Sequence, residues 1–274
     1  MKPNERCVSG KSFTMQWHVF RVFVLGIVLT LAAVSSTGCR LDRLRLAKNS
    51  FKDFKNNVVV TSAGDLQIEF KHPILLEEDV LWLGYPRPPD TIQVGSEVRW
   101  HYTFRKKNAK AGENAAVVKV TLVFADGLLS RVIIPETIAR LIPKDLPEAI
   151  LTAIGNAEIG WLDQSLVFSS KEGGDPMKGV RLPELDECKE VLGEPFDEKQ
   201  PTPTTSSLIY IYECEIGGGK MEFAFAGVFR QSFGTMVKAT VAFGRYCAVY
   251  TSYSIEIRDM LKGPPPAERA GALL

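Results

Sequence analysis

Histidine is scarce in this 274-residue chain: His18, His72 and His101 are too few to suggest a histidine-based metal or acid–base site. An excess of one charge is also missing. Lys and Arg total 33 against 32 Asp and Glu, a net charge of +1, which removes the electrostatic argument for a nucleic-acid partner. No GxSxG elbow, HExxH helix or CxxC pair occurs, so serine-hydrolase, zinc-protease and thioredoxin-type chemistry have no motif to rest on. Gly10-Lys11-Ser12 ends like a phosphate loop, but Glu5 stands where that loop needs glycine. Gly217–Gly219 lacks the dinucleotide spacing and lies between two strand patterns, which reads as a hairpin turn. Gly 22, Pro 16, 24% charged and 45% hydrophobic residues exclude a collagen-like or wholly disordered chain. That length and apolar content suffice for one large domain or two small ones, and no cofactor or metal is expected.

The first forty residues are informative. Lys2, Arg6, Lys11 and Arg21 precede an apolar run from Val22 to Val34, and small residues Ser35 to Gly38 lead to Cys39. A basic region, a short apolar region and a small-residue cleavage zone make a secretory signal peptide over 1–38. As a helix the run reaches only about 20 Å against roughly 30 Å of hydrocarbon, which argues against a membrane span. Met15 offers an alternative start that leaves Gln16 to Arg21 as the basic region. Ser36-Thr37-Gly38-Cys39 resembles the bacterial lipobox, with Ser36 where that motif usually carries an aliphatic residue. The resemblance implies a diacylated Cys39 as the mature N-terminus, with the lipid bilayer as a partner. An ordinary secretory signal or an uncleaved anchor is the alternative. Arg40 differs from the Asp of inner-membrane retention signals, so the expected location is the outer membrane, facing the periplasm. The mature chain would carry 29 basic and 31 acidic residues.

Export would put the remaining thiols in an oxidising compartment. With Cys7 discarded and Cys39 acylated, Cys188, Cys214 and Cys247 are left; burial as small apolar residues is the favoured reading, and at most one disulfide between two of the three is the alternative.

Residues 39–57 are expected to form a lipid-anchored tether, solvated or briefly helical. A first α+β module is expected over 58–170. It opens with a hairpin, Val58–Thr61 and Leu66–Phe70, and closes on a helical extension at 135–156. Lys171-Glu172-Gly173-Gly174-Asp175-Pro176 reads as the linker, 177–262 as a second α+β module and 263–274, with three consecutive prolines, as a disordered tail.

An internal repeat supports this division. Ile74–Pro86 and Pro183–Pro195 align at an offset of 109 with five identities: Leu76/Leu185, Glu78/Glu187, Leu83/Leu192, Gly84/Gly193 and Pro86/Pro195. Acidic residues early and Gly and Pro late are helix start and stop signals. An aromatic strand follows each: Val98, Trp100, Tyr102 and Phe104 share one face, as do Leu208, Tyr210, Tyr212 and Cys214. Val118–Phe124 then matches Val237–Phe243 at an offset of 119, with Met221–Phe229 as an extra strand and Pro201–Ser207 as an extra loop in the second copy. Asp126-Gly127 is a hairpin turn. The fold class is therefore α+β: two tandem modules, each an antiparallel sheet with helices packed on one face.

Leu83-Gly84-Tyr85-Pro86 with Trp100-His101-Tyr102, and Leu192-Gly193-Glu194-Pro195 with Tyr210-Ile211-Tyr212, resemble the BamE/SmpA type and its β-lactamase-inhibitor-protein-like relatives. The resemblance implies a non-catalytic, protein-binding module in the cell envelope. A groove between sheet and helices lined by Trp82, Trp100 and Phe124, carrying a small apolar ligand or lipid, is the alternative function. An enzyme with an Asp/Glu-based site is a third reading. His101 falls on the opposite strand face with Arg99, Thr103 and Arg105, exposed to solvent. Glu77-Glu78-Asp79 has the right ligands for a hard cation, but its recurrence as Asp186-Glu187 favours a helix N-terminus.

Overall fold

A computed structural model of the chain describes residues 42–83, 85–110, 112–113, 115–156, 158–160, 165–169, 181–217, 219–243, 246–251 and 254–259. The signal segment, Cys39, the linker at 171–176 and the tail at 263–274 lie outside the described residues. The chain divides into two compact units, Met1–Arg45 and Leu46–Leu274, and the second holds the sheet and its core.

Residues 42–50 are helical; a single 3₁₀ turn, Phe51–Asp53, and α1 (Phe54–Asn57) then lead into β1 (Val58–Thr61) and β2 (Leu66–Phe70). Next come α2 (Glu77–Trp82), β3 (Asp90–Val94), β4 (Glu97–Lys106), β5 (Val117–Ala125) and β6 (Leu128–Ile134). The extension contains α3 (Glu136–Ala139) and α4 (Leu146–Asn156), followed by β7 (Glu158–Gly160) and β8 (Ser165–Ser169). The remainder is α5 (Leu185–Leu192), β9 (Asp197–Thr202), β10 (Thr205–Ile216), β11 (Gly219–Arg230), β12 (Thr235–Phe243), β13 (Tyr246–Thr251) and β14 (Ser254–Asp259).

The molecule is α+β with one large antiparallel sheet and few helices, in place of the two separate sheets expected. Strand order is β1-β2-β6-β5-β4-β10-β11-β12-β13-β14-β8-β7, with β3 also on β4 and β9 also on β10. Strand length explains the fusion. β4 has 10 residues and β10 has 12, each longer than the strand that precedes it. Their C-terminal halves, left unpaired by β3 and β9, pair with each other: Phe104↔Cys214, Arg105↔Glu213 and Lys106↔Tyr212. Pairing there covers two edges that would otherwise present open backbone groups.

Three further expectations are corrected. Residues 158–160 and 165–169, within the span expected for the first module, form β7 and β8, and β8 pairs with β14 at the far end of the sheet. Pro201 lies in β9, not in a loop; β9 pairs only with β10 among the described strands, and an edge strand tolerates the missing N–H. The part of the supposed tether from Leu46 to Asn57 packs on the body: Ala47 and Phe54 are buried, and the ring of Phe51 lies 6.1 Å from that of Phe70. Gly155 permits that contact, because a Cβ there would stand 2.5 Å from the Lys52 backbone nitrogen.

The regions around β3–β6 and β9–β12 correspond in geometry. The Leu76↔Leu128 bridge matches Glu184↔Thr235; Glu77 N donates to Gly127 O at 3.3 Å, and Leu185 N donates to Gly234 O at 2.9 Å. At both helix starts a carboxylate accepts from the N-cap backbone: Asp79 Oδ2 from Leu76 N at 3.0 Å, and Glu187 Oε2 from Glu184 N at 2.8 Å. These contacts set the offset at the helix starts at 108, one less than the identities suggested, because α5 is longer than α2. A β-bulge interrupts β5–β6 at Val123/Phe124 and β11–β12 at Val228/Phe229. β11 is thus the counterpart of β5, and β12 that of β6. Matching Val118–Phe124 to Val237–Phe243 was out by one strand, and Met221–Phe229 is no extra strand. The turn after β5 uses Asp126 and Gly127, both at positive φ, which suits a two-residue hairpin.

One core takes side chains from both regions: Trp100, Tyr102, Phe104 and Phe124 with Leu208, Tyr210, Tyr212 and Phe229, covered by Val80 of α2 and by Cys188 and Leu192 of α5. Alternation along β4 and β10 sends these residues to one face.

Candidate functional site

The most concentrated polar chemistry lies where β4 meets β10. Lys106 continues the apolar row of β4, so its side chain enters the interior and is fully buried. Its ammonium forms an ion pair with Glu113, donates to Leu192 O at 2.6 Å and sits 5.4 Å from the centre of the Tyr210 ring. Leu192 ends α5, so the cation meets the negative end of that helix. Glu113 also accepts from Lys110 N at 2.8 Å and Glu194 N at 2.9 Å. Burial pushes the Glu113 carboxyl up, but the Lys106 hydrogen bond and these two backbone donors outweigh it and leave the group below the ordinary value. Asn108 Nδ2 donates to Pro195 O at 2.8 Å. The buried Tyr212 hydroxyl and Asn108 Oδ1 have no hydrogen-bond partner.

This cluster fastens Asn108 and Glu113 onto the end of α5 and the residues that follow it. Every donor and acceptor named on Lys106 and Glu113 is engaged within the protein, and a buried ammonium so paired is a poor nucleophile or base. Sequence reasoning missed both residues. The signal was available: Lys106 is the next same-face residue after Trp100, Tyr102 and Phe104, and the corresponding position of β10 is Cys214.

The residues proposed for a groove do not form one. Trp100 and Phe124 are fully buried with ring centres 4.7 Å apart, whereas Trp82 is 42% exposed on the outside of α2. Large side chains at alternate strand positions made core here, as close packing favours. A small depression lies elsewhere, between Ala47, Phe51, Phe70, Ile74 and Leu129, with room for little more than a water molecule.

The thiols are similarly placed in the interior. Cys188 and Cys214 are buried and free, and any bridge drawn from Cys188, Cys214 and Cys247 would need one of them. The possible disulfide is therefore not formed, and Cys188 and Cys214 are buried as small apolar residues, the reading favoured from the sequence. Burial raises the Cys188 thiol to about 12, with Glu187 adding to the effect, which makes it unreactive. Asp79 is engaged in capping α2, and Glu77 pairs with Arg87. His101 lies on the predicted face but is partly buried; its Nδ1 is 2.8 Å from Thr121 Oγ1, and burial followed by nearby Lys119 lowers its pKa.

Outward-facing positions differ between the two corresponding regions. Leu81, Trp82, Ile92 and Val94 are 44%, 42%, 45% and 50% exposed. At the helix offset, Leu81 and Trp82 correspond to Lys189 and Glu190. Along the strands, Ile92 and Val94 correspond to Lys199 and Thr202 through their partners on β4 and β10. The same scaffold positions are apolar in one region and polar in the other.

Comparison with known protein families, curated proteins and solved structures finds no match.

Proposed function

We propose that this chain is a non-enzymatic lipoprotein of the bacterial envelope, held to the bilayer through acylated Cys39, whose body binds a protein partner. The finer architecture in this reading is two related α+β modules in tandem, each with helices on one face of its part of the shared sheet, as in BamE/SmpA-type modules. The signal pattern that ends at Cys39 supports export and anchoring. The observation that carries binding is a pair of apolar patches in the first region, Leu81 and Trp82 on the outside of α2 and Ile92 and Val94 on the sheet face opposite α2, where the corresponding positions of the second region are polar. Outward Trp and Ile are uncommon on a surface left to water and are typical of interface anchors. The sealed Lys106–Glu113 pair and the buried thiols favour a binding role over catalysis.

One experiment tests the reading in two parts. The protein isolated from its native membrane gives an intact mass, expected to show loss of residues 1–38 and added acyl chains. A photo-crosslinking residue at Trp82 is expected to capture a discrete protein adduct in intact envelopes, and the same residue at Glu190 is not. An unacylated mass overturns the anchor, and equal patterns at the two positions overturn the binding surface.

A further inference from the structure

Charge is unevenly spread along the chain, and the imbalance begins beside the proposed anchor. From Arg40 to Asn57 there are six basic and two acidic residues; from Val58 to Leu274 there are 23 basic and 29 acidic. The basic stretch is not a loose spacer, since Ala47 and Phe54 are buried and the backbone of Phe51 and Lys52 lies against Gly155. It forms a shelf with fixed outward positions. Lys52 and Lys71 are exposed, and the Lys55 side chain is 83% exposed. Lys71 Nζ donates to Lys55 O at 3.1 Å, which gathers the ammonium of β2's exit onto the shelf. Leu46 is 56% exposed at the start of the same segment. Nearby negative charge is partly engaged: Glu148 stands 3.9 Å from Lys55, both Asp53 oxygens accept from Asn56, and Glu69 is exposed on β2 two residues before Lys71.

Resting on the anchored reading above, the geometry points to a second membrane contact: the shelf of Lys52, Lys55 and Lys71, with Leu46, docks on an anionic phospholipid surface and orients the body on the bilayer. Chain length supports it. Three residue steps separate Cys39 from the helix at 42–50, about 10 Å when extended. That helix continues into the shelf, so Lys52 stands within about 25 Å of chain from Cys39, and the tether lets the shelf come within one Debye length, about 8–10 Å, of the headgroups. Lysines at that range attract anionic lipid, and an exposed leucine can enter the interface. The remainder of the chain, with its acidic excess, is repelled by the same surface, which favours one orientation over tumbling.

Lysine footprinting tests this on the protein isolated from its membrane, with the intact mass recorded first. The protein is placed in nanodiscs of phosphatidylcholine alone or with 30% phosphatidylglycerol, and amine labelling is followed residue by residue. Labelling of Lys52, Lys55 and Lys71 is expected to slow at least fivefold on the anionic discs and to recover in 0.5 M salt. Lys199 and Lys220, each 59% exposed in the second region, should label equally on both. Equal labelling of the shelf on both discs overturns the proposal. If the mass shows no acyl chain, the anchor reading has failed independently, and the shelf is then decided by sedimentation with vesicles of the same two compositions. Capture by anionic vesicles that is lost in Lys52→Glu/Lys55→Glu/Lys71→Glu supports it; binding to heparin without binding to these vesicles overturns it.

Discussion

The regions around β3–β6 and β9–β12 share a framework and differ in how it is filled. Each has a carboxylate-capped helix start, a bridge from the residue before that helix to the fourth strand after it, a bulge next to a buried phenylalanine and a tyrosine whose hydroxyl reaches the helix exit. Tyr102 Oη donates to Pro86 O at 2.9 Å, and Tyr210 Oη donates to Gly193 O at 3.2 Å. The pairing of β4 with β10 respects the correspondence: with an offset of 108, Arg105 meets its own counterpart Glu213, and the pairs on either side exchange. A local two-fold axis therefore passes between Arg105 and Glu213. Symmetry of this kind conserves backbone contacts, where geometry is restrictive, and leaves side chains free to diverge. Lys106 where the second region has Cys214, and Trp82 where it has Glu190, are such divergences.

The comparison breaks most forcefully in the core. Phe124→Ala and Phe229→Ala should each cost about 3–5 kcal/mol of stability in urea unfolding, because each empties the same site beside a bulge. A loss confined to one of them would show that the correspondence is superficial. Lys106→Met leaves the Glu113 carboxylate buried without its cation and should cost about 3 kcal/mol, part of which Lys106→Met/Glu113→Gln restores. Its counterpart Cys214→Ala removes only a small apolar group and should cost about 1 kcal/mol. Thermal or urea melts of the three variants separate a symmetric role from an asymmetric one. Tyr102→Phe and Tyr210→Phe should each lose about 1 kcal/mol, equally if the helix exits are equivalent.

The smallest effect is on the acid side. The Glu213 carboxyl is held below its ordinary value, first by the Lys220 hydrogen bond and then by Lys107; Glu113 is likewise low. Both bind protons less readily folded than unfolded. Their stabilisation is complete above the ordinary carboxylate value of 4.5 and is lost as pH falls through their lower folded values. Urea midpoints measured from pH 6 to pH 3 should decline in the native chain and decline less in Glu213→Gln.

Local features were legible in the sequence because local chemistry decides them. The β1–β2 hairpin, the Asp126-Gly127 turn, the helices at 77–82 and 185–192 and the aromatic rows of β4 and β10 follow from turn residues, capping carboxylates and alternation. Partnership between distant strands was not legible. Val118–Phe124 and Val237–Phe243 are similar valine-rich strands, and composition does not say which of two successive strands lies beside a helix. The bridges at Leu128 and Thr235 say so. The segment 46–57 reads as a solvated tether because Lys48, Lys52, Asp53 and Lys55 give it a charged character, while the residues that dock are Ala47 and Phe54. Lys106 was overlooked because a charged residue was not expected to continue an aromatic row. The groove failed for the opposite reason: Trp100 and Phe124 fit each other too closely to leave space.

The two short strands flanking the central pair also differ at their outer edges. β9, Asp-Glu-Lys-Gln-Pro-Thr, carries three charges and a proline that denies a partner one backbone donor. β3, Asp-Thr-Ile-Gln-Val, shows Ile92 and Val94 and carries no such guard. In concentrated preparations self-association should therefore start at residues 90–94, and a lysine introduced at Val94 should keep the protein monodisperse.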